Sequence, residues 1–119
     1  MKNILVTTDL SEHSLVALPL ARKLAEKFNA KLHLLFVAID ASVVMAARGI
    51  EGPVSYVEPA IQSEINQQYQ QDLLKMARQE FPAGGVEVLF REGYGSVGAT
   101  VIKAAQEVQA DLVVMTSIS

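Results

Sequence analysis

Leu32 to Ile39 reads Leu-His-Leu-Leu-Phe-Val-Ala-Ile, a nearly unbroken apolar run of strand length. A strand with one buried face alternates apolar and polar residues, so a run without alternation belongs to a strand covered on both faces. Ile4-Leu5-Val6 and Leu112-Val113-Val114-Met115 are two more runs of this kind. Val86, Val88 and Phe90 instead alternate with Glu87 and Arg91, the period of a strand with a wetter side, such as a sheet edge. Helical spacing fills the intervals. Leu15, Leu18, Ala21, Leu24, Ala25 and Phe28 recur until Asn29; Ile65, Tyr69, Leu73, Met76 and Ala77 form a stripe within Gln62 to Phe81; Val97, Val101, Ala104, Ala105 and Val108 form a third. The order β-α-β-α-β-α-β predicts parallel strands joined by right-handed crossovers, a layered α/β domain whose first, second and fourth strands are central.

A chain of 119 residues is the size of one domain, so residues 1–119 are read as a single unit. Thirteen acidic and ten basic side chains give a net charge of −3, and no run of Lys or Arg builds the footprint of a nucleic-acid binder. The absence of Cys removes disulfides, thiolate metal sites and a Cys nucleophile, which fits a reducing cytoplasm. The apolar start stops at Thr7 and meets Asp9, too short for a signal sequence, and no stretch approaches the roughly 18 residues that a bilayer span needs. The expectation is a cytoplasmic protein with no nucleic-acid or membrane partner.

Local signals refine the elements. Ser11 is placed to cap the first helix, and Pro19, lacking an N–H, predicts a kink or a helix that tightens only after its first turn. Gly49, Gly52, Pro53 and Pro59 punctuate Asp40 to Ala60 too often for a long regular element, leaving a loop with one helical turn at Val43 to Ala47. The six Gln residues of the second helix read as its solvated face.

Four blocks in register, Ile4 to Ser14, Ala30 to Val37, Arg91-Glu92-Gly93 and Ala110 to Met115, resemble the universal stress protein (UspA-type) family. The resemblance implies a Rossmann-like, three-layer parallel sheet of the adenine-nucleotide alpha-hydrolase-like kind, in the order 3-2-1-4-5. Some members of that family bind ATP at the carboxyl ends of the first and fourth strands, where the winding direction reverses. On this sequence the resemblance assigns Thr7, Thr8, Asp9, Val37, Met115 and Thr116 to that crevice, with Asp9 and Val37 toward the adenine and ribose. Thr7 stands where a proline is common. The family's glycine-rich phosphate loop would follow Met115, but the sequence there reads Thr116-Ser117-Ile118-Ser119; the fifth strand and fourth helix are absent too, so the expected order is 3-2-1-4.

Other constellations are weaker. Gly93-Tyr94-Gly95-Ser96-Val97-Gly98 is a literal G-x-G-x-x-G between strand and helix, but it follows an edge strand, and Asp111 precedes the next strand rather than ending it. It reads as a βα turn. A receiver-type phospho-acceptor would use Asp9 but needs an acidic neighbour where Thr8 stands and an Asp where Arg91 stands, and the Ile4 to Ser14 block lacks the glycines of an ATP-pyrophosphatase loop. His13 and His33 have no metal-ligand spacing; His13 begins a helix near the crevice and His33 reads as structural. Ser11 and Ser14 have no base arranged beside them by motif.

The expected protein is a stress-response module acting through oligomerisation and interaction rather than as an enzyme, with no firm cofactor. The alternative is a member that binds ATP or AMP, or hydrolyses ATP slowly, with the phosphate loop outside this sequence. The fourth strand carries an unbroken apolar pattern yet ends the sheet in the order 3-2-1-4, so a homodimer is expected through that edge or the face beside it.

Overall fold

The computed structural model describes residues 1–39, 59–93 and 96–115, apart from the side chains of Glu12 and His13. The strands are β1 (Asn3–Thr8), β2 (Lys31–Ala38), β3 (Val86–Glu92) and β4 (Leu112–Val114). All pair parallel, in the order β3-β2-β1-β4, with Ile4 beside Leu32 and Leu112, and Leu34 beside Val88. The expected sheet and its β3 edge are therefore present. The helices are α1 (Ala17–Phe28), α2 (Pro59–Glu80) and α3 (Val97–Glu107). The expected turn at Val43 to Ala47 lies outside the described residues.

Strand alternation divides the core. On one face Ile4, Val6, Leu32, Leu34 and Phe36 pack with Leu18 and Ala21 of α1 and Leu73 and Ala77 of α2. On the other, Leu5, Leu35 and Leu89 pack with Val101 and Ala104 of α3. Ile4, Leu5, Val6, Leu34 and Leu35 have 0% exposure, which accounts for the unbroken apolar runs of β1 and β2. Each such burial stabilises by roughly 1.5–3 kcal/mol before chain entropy is counted.

Pro19 acts as its chemistry requires. A 3-10 turn (Glu12–Val16) precedes α1, which puts Pro19 third in the α-helix, where an N–H has no partner within the helix anyway. Ser11 is the cap residue of the 3-10 turn but makes no side-chain cap bond. Asn29 closes α1 in the left-handed region at φ 49°, and Ala30 N–H reaches back to Ala25 O at 2.8 Å.

Three expectations need correction. The second helix begins at Pro59, not Gln62; a proline's fixed φ suits a first helical turn, so Pro59 opens the element instead of interrupting a loop. Gln62 and Asn66 are buried, with Gln62 Nε2 donating to Asn66 Oδ1 at 2.9 Å and Asn66 Nδ2 lying 3.5 Å from Glu92 Oε1. Two amide residues of α2 therefore belong to its inner face. β4 pairs only with β1 among the described residues, so its apolar pattern does not mark a central strand.

Glu87, expected simply to face water, is half-exposed and holds Lys31 Nζ at 3.0 Å and His33 Nδ1 at 3.1 Å. His33 is 3% exposed and bridges three strands, because its Nε2 donates to Asn3 Oδ1 at 3.1 Å. With the neutral ring's proton on Nε2, Nδ1 has none to give to Glu87, and it pairs with that carboxylate only when the imidazole is protonated. Burial holds the imidazole below its usual 6.5; attraction to Glu87 opposes that shift, and Lys31 adds to it. The unfolded chain then takes up a proton near pH 6.5 that the folded chain resists. His33 thus supports the fold above pH 6.5 and loses that contribution as pH falls through the lowered folded value. Urea unfolding between pH 7.5 and 5.5 should show stability falling toward acid, and His33→Gln should flatten the fall. An unchanged slope in the variant would assign the acid sensitivity elsewhere. Glu87, lowered mainly by Lys31 and then by His33, titrates in a separate window below 4.5.

Candidate functional site

The carboxyl end of β1 is built by its own side chains. Ser14 Oγ donates to Ser11 O at 2.7 Å, which commits its only proton; Thr8 Oγ1 therefore donates to Ser14 Oγ, 2.8 Å away. Thr8 Oγ1 also accepts Leu10 N–H at 3.1 Å and lies 3.5 Å from Met76 Sδ. Asp9 Oδ1 accepts the Ser11 N–H at 2.9 Å and the Ser11 hydroxyl. This bonding supports Leu10 at φ 65°, a left-handed conformation a branched apolar residue rarely adopts. The Thr-Thr-Asp-Leu-Ser-x-x-Ser pattern is thus a tied turn that delivers the chain from β1 into the 3-10 helix.

The candidate crevice residues gather at this end of the sheet but not on one surface. The register sets Thr7 beside Leu35 and Val6 beside Val114, so Thr7, Val37 and Met115 fall on the α3 side of their strands. Thr8 points to the opposite face, where it is 6% exposed and engaged with Ser14. Asp9 is exposed and braces the turn through Ser11. Met115 is 56% exposed. Thr116 lies outside the described residues, as does the His13 side chain.

Two features escaped motif reading. Gly93 is buried beside the end of β2, its N–H donating to Ala38 O at 2.7 Å. A Cβ there would stand 2.3 Å from Val37 Cγ1 and 3.1 Å from Thr100 Oγ1, so close approach of strand, loop and α3 requires glycine. That is the role of the first glycine of the G-x-G-x-x-G stretch. Ser96 supplies the cap of α3, its hydroxyl accepting Ala99 N–H at 3.2 Å.

The second feature is an open apolar groove of about 400 Å³ where α3 meets β4, lined by Val101, Ile102, Ala105, Gln109, Val113 and Met115. Ile102 is 61% exposed and Val113 37%. Among the described residues no group of three His, Cys, Asp or Glu side chains is placed to hold a metal, and no helix is long and apolar enough to cross a membrane.

Similarity to known proteins agrees with this architecture. A universal stress protein from Burkholderia pseudomallei superposes with a TM-score of 0.73 at 24% identity, over 98% of this chain and 81% of that one. Universal stress protein UspA from Lactobacillus plantarum gives 0.68 at 22% identity, over 96% and 75%. A universal stress protein in complex with cAMP gives 0.56 at 22% identity, over 94% and 69%. Comparison with curated proteins gives no match. The family profile described as the universal stress protein family matches residues 1–119. With the whole sequence matched and the sheet in the expected order, the chain belongs to the universal stress protein family.

Proposed function

We propose that this universal stress protein works in the cytoplasm as an oligomeric regulatory module, through its surfaces rather than by turning over a nucleotide. The observation that carries this reading is the exposed apolar groove between α3 and β4, with Ile102 and Met115 more than half exposed beside a strand that pairs on one side only among the described residues. Apolar surface next to unpaired backbone groups favours association with another chain. A two-fold homodimer through the β4 edge or this adjoining face is the simplest arrangement that covers it.

The nucleotide crevice supports the same reading. Thr8 is turned into the core, and Asp9 is occupied at least in part by the turn it braces. Thr7, Val37 and Met115 remain as apolar or weakly polar lining, suited to a base more than to phosphates. A second reading, an adenine-nucleotide-binding protein, draws on the structural neighbour in complex with cAMP. Isothermal titration of the 119-residue chain with ATP, AMP and cAMP separates the two. The module reading expects weak or undetectable heat and background hydrolysis. Micromolar affinity that disappears in Asp9→Ala would establish the second reading instead.

A further inference from the structure

The first helix carries large apolar side chains where a surface helix is normally polar. Val16, whose φ −68° and ψ −35° continue the helical path, is 77% exposed; Leu20 is 54% and Phe28 44% exposed. With Leu24, half-buried, they occur at every fourth residue from 16 to 28 and form one slanting row. Arg22 locates the row on the helix. Its guanidinium donates to Glu80 O at the end of α2, so Arg22 marks the α2 side of α1. At about 100° per residue, Leu20 and Leu24 lie roughly 160° around the helix from Arg22, toward the flank where β4 is. Leu112 and Val114 of β4 are half-buried on this same face of the sheet. The result is a trough with α1 as one wall, β4 as its floor and no described helix as the other wall. It is separate from the α3 groove, which lies on the opposite face.

Charge identifies what fits it. The chain as a whole is −3, yet away from the α2 side, where Arg22 and Glu26 lie, the charges of α1 are Lys23 and Lys27. Lys23 and Lys27 flank the apolar row on its solvent side, and Lys27 Nζ lies 5.8 Å from the centre of the Phe28 ring. A second copy laid against the row would bring these cations together. We propose that the α1–β4 trough is a docking site for an acidic amphipathic helix of a partner protein, its apolar side on Val16, Leu20, Leu24 and Phe28 and its carboxylates against Lys23 and Lys27. The inference extends the interaction-module reading and rests on it for its role.

The test uses the full chain and a fluorescein-labelled 18-residue helical peptide with Leu at helical spacing and Glu elsewhere. Anisotropy at low salt should show saturable binding that weakens about tenfold by 0.3 M salt, as screening of rim charges requires. Leu20→Asp and the pair Lys23→Glu with Lys27→Glu should each weaken binding at least tenfold, and a Leu/Lys peptide of the same pattern should bind no better than those variants bind the acidic one. Equal binding of the Leu/Lys peptide, binding indifferent to Leu20→Asp, or binding to anionic vesicles with none to the peptide would overturn the proposal. Sedimentation of the same samples keeps the two readings apart. A wild-type monomer that still binds the acidic peptide refutes the dimer and leaves the docking site standing. A dimer that Leu20→Asp splits would make the trough a contact between copies and refute the docking site.

Discussion

Gly93→Ala is expected to destabilise the domain by about 1–3 kcal/mol, at the upper end of what one added methyl group costs in a packed site. The added Cβ would fall 2.3 Å from Val37 Cγ1, a stiff β-branched atom on a central strand, with Thr100 closing the other side. Neither neighbour can yield without moving β2 against α3. Urea unfolding should show a lower midpoint with an unchanged slope. In the double variant with Val37→Ala much of the loss should be recovered, giving a coupling energy outside the additive range. A Gly93→Ala protein as stable as the parent would mean that the loop and β2 do not approach as described.

Leu73→Ala should cost more, about 2–5 kcal/mol, the range for emptying a fully buried leucine site. The reason lies in how α2 is attached. Its buried positions are Gln62, Asn66, Leu73 and Ala77, so over 22 residues Leu73, 1% exposed, is the one large apolar anchor among them. The polar pair at its start holds by hydrogen bonds, whose net contribution is about 1 kcal/mol each. Native-state hydrogen exchange should therefore show α2 opening below the global unfolding energy in Leu73→Ala, with β1 and β2 still protected. Uniform protection across α2 and the sheet would place its anchorage elsewhere, in the half-buried Tyr69 and Met76.

The parts legible from sequence are those where one local signal decides. Ile4-Leu5-Val6 and Leu32 to Ile39 announce strands covered on both faces because apolar and polar residues do not alternate in them, His33 being the one polar interruption. Glu87 and Arg91 mark β3 as an edge, Pro19 marks an irregular first turn in the first helix, and Asn29 marks where α1 ends. What could not be read depends on residues meeting across the fold. The sequence puts Gln62 with the other Gln residues on the solvated face and does not single out Asn66, and only packing beside Glu92 shows that both are inside. His33 reads as an isolated residue in β2, but Asn3 and Glu87 on the neighbouring strands give it its partners. At the crevice, resemblance names Thr8 and Asp9 as lining. The hydrogen bond that Thr8 gives to Ser14 and those that Asp9 accepts from Ser11 show that the turn itself uses both side chains.

Sedimentation equilibrium of the unmodified chain at tens of micromolar tests the central claim most directly, with Val113→Lys run beside it. The account predicts twice the 12.9 kDa chain mass for the parent, and a monomer or insoluble protein for the variant, whose lysine would sit at the α3–β4 groove. A parent chain that sediments as a stable, soluble 12.9 kDa monomer, with the variant indistinguishable from it, would contradict the account.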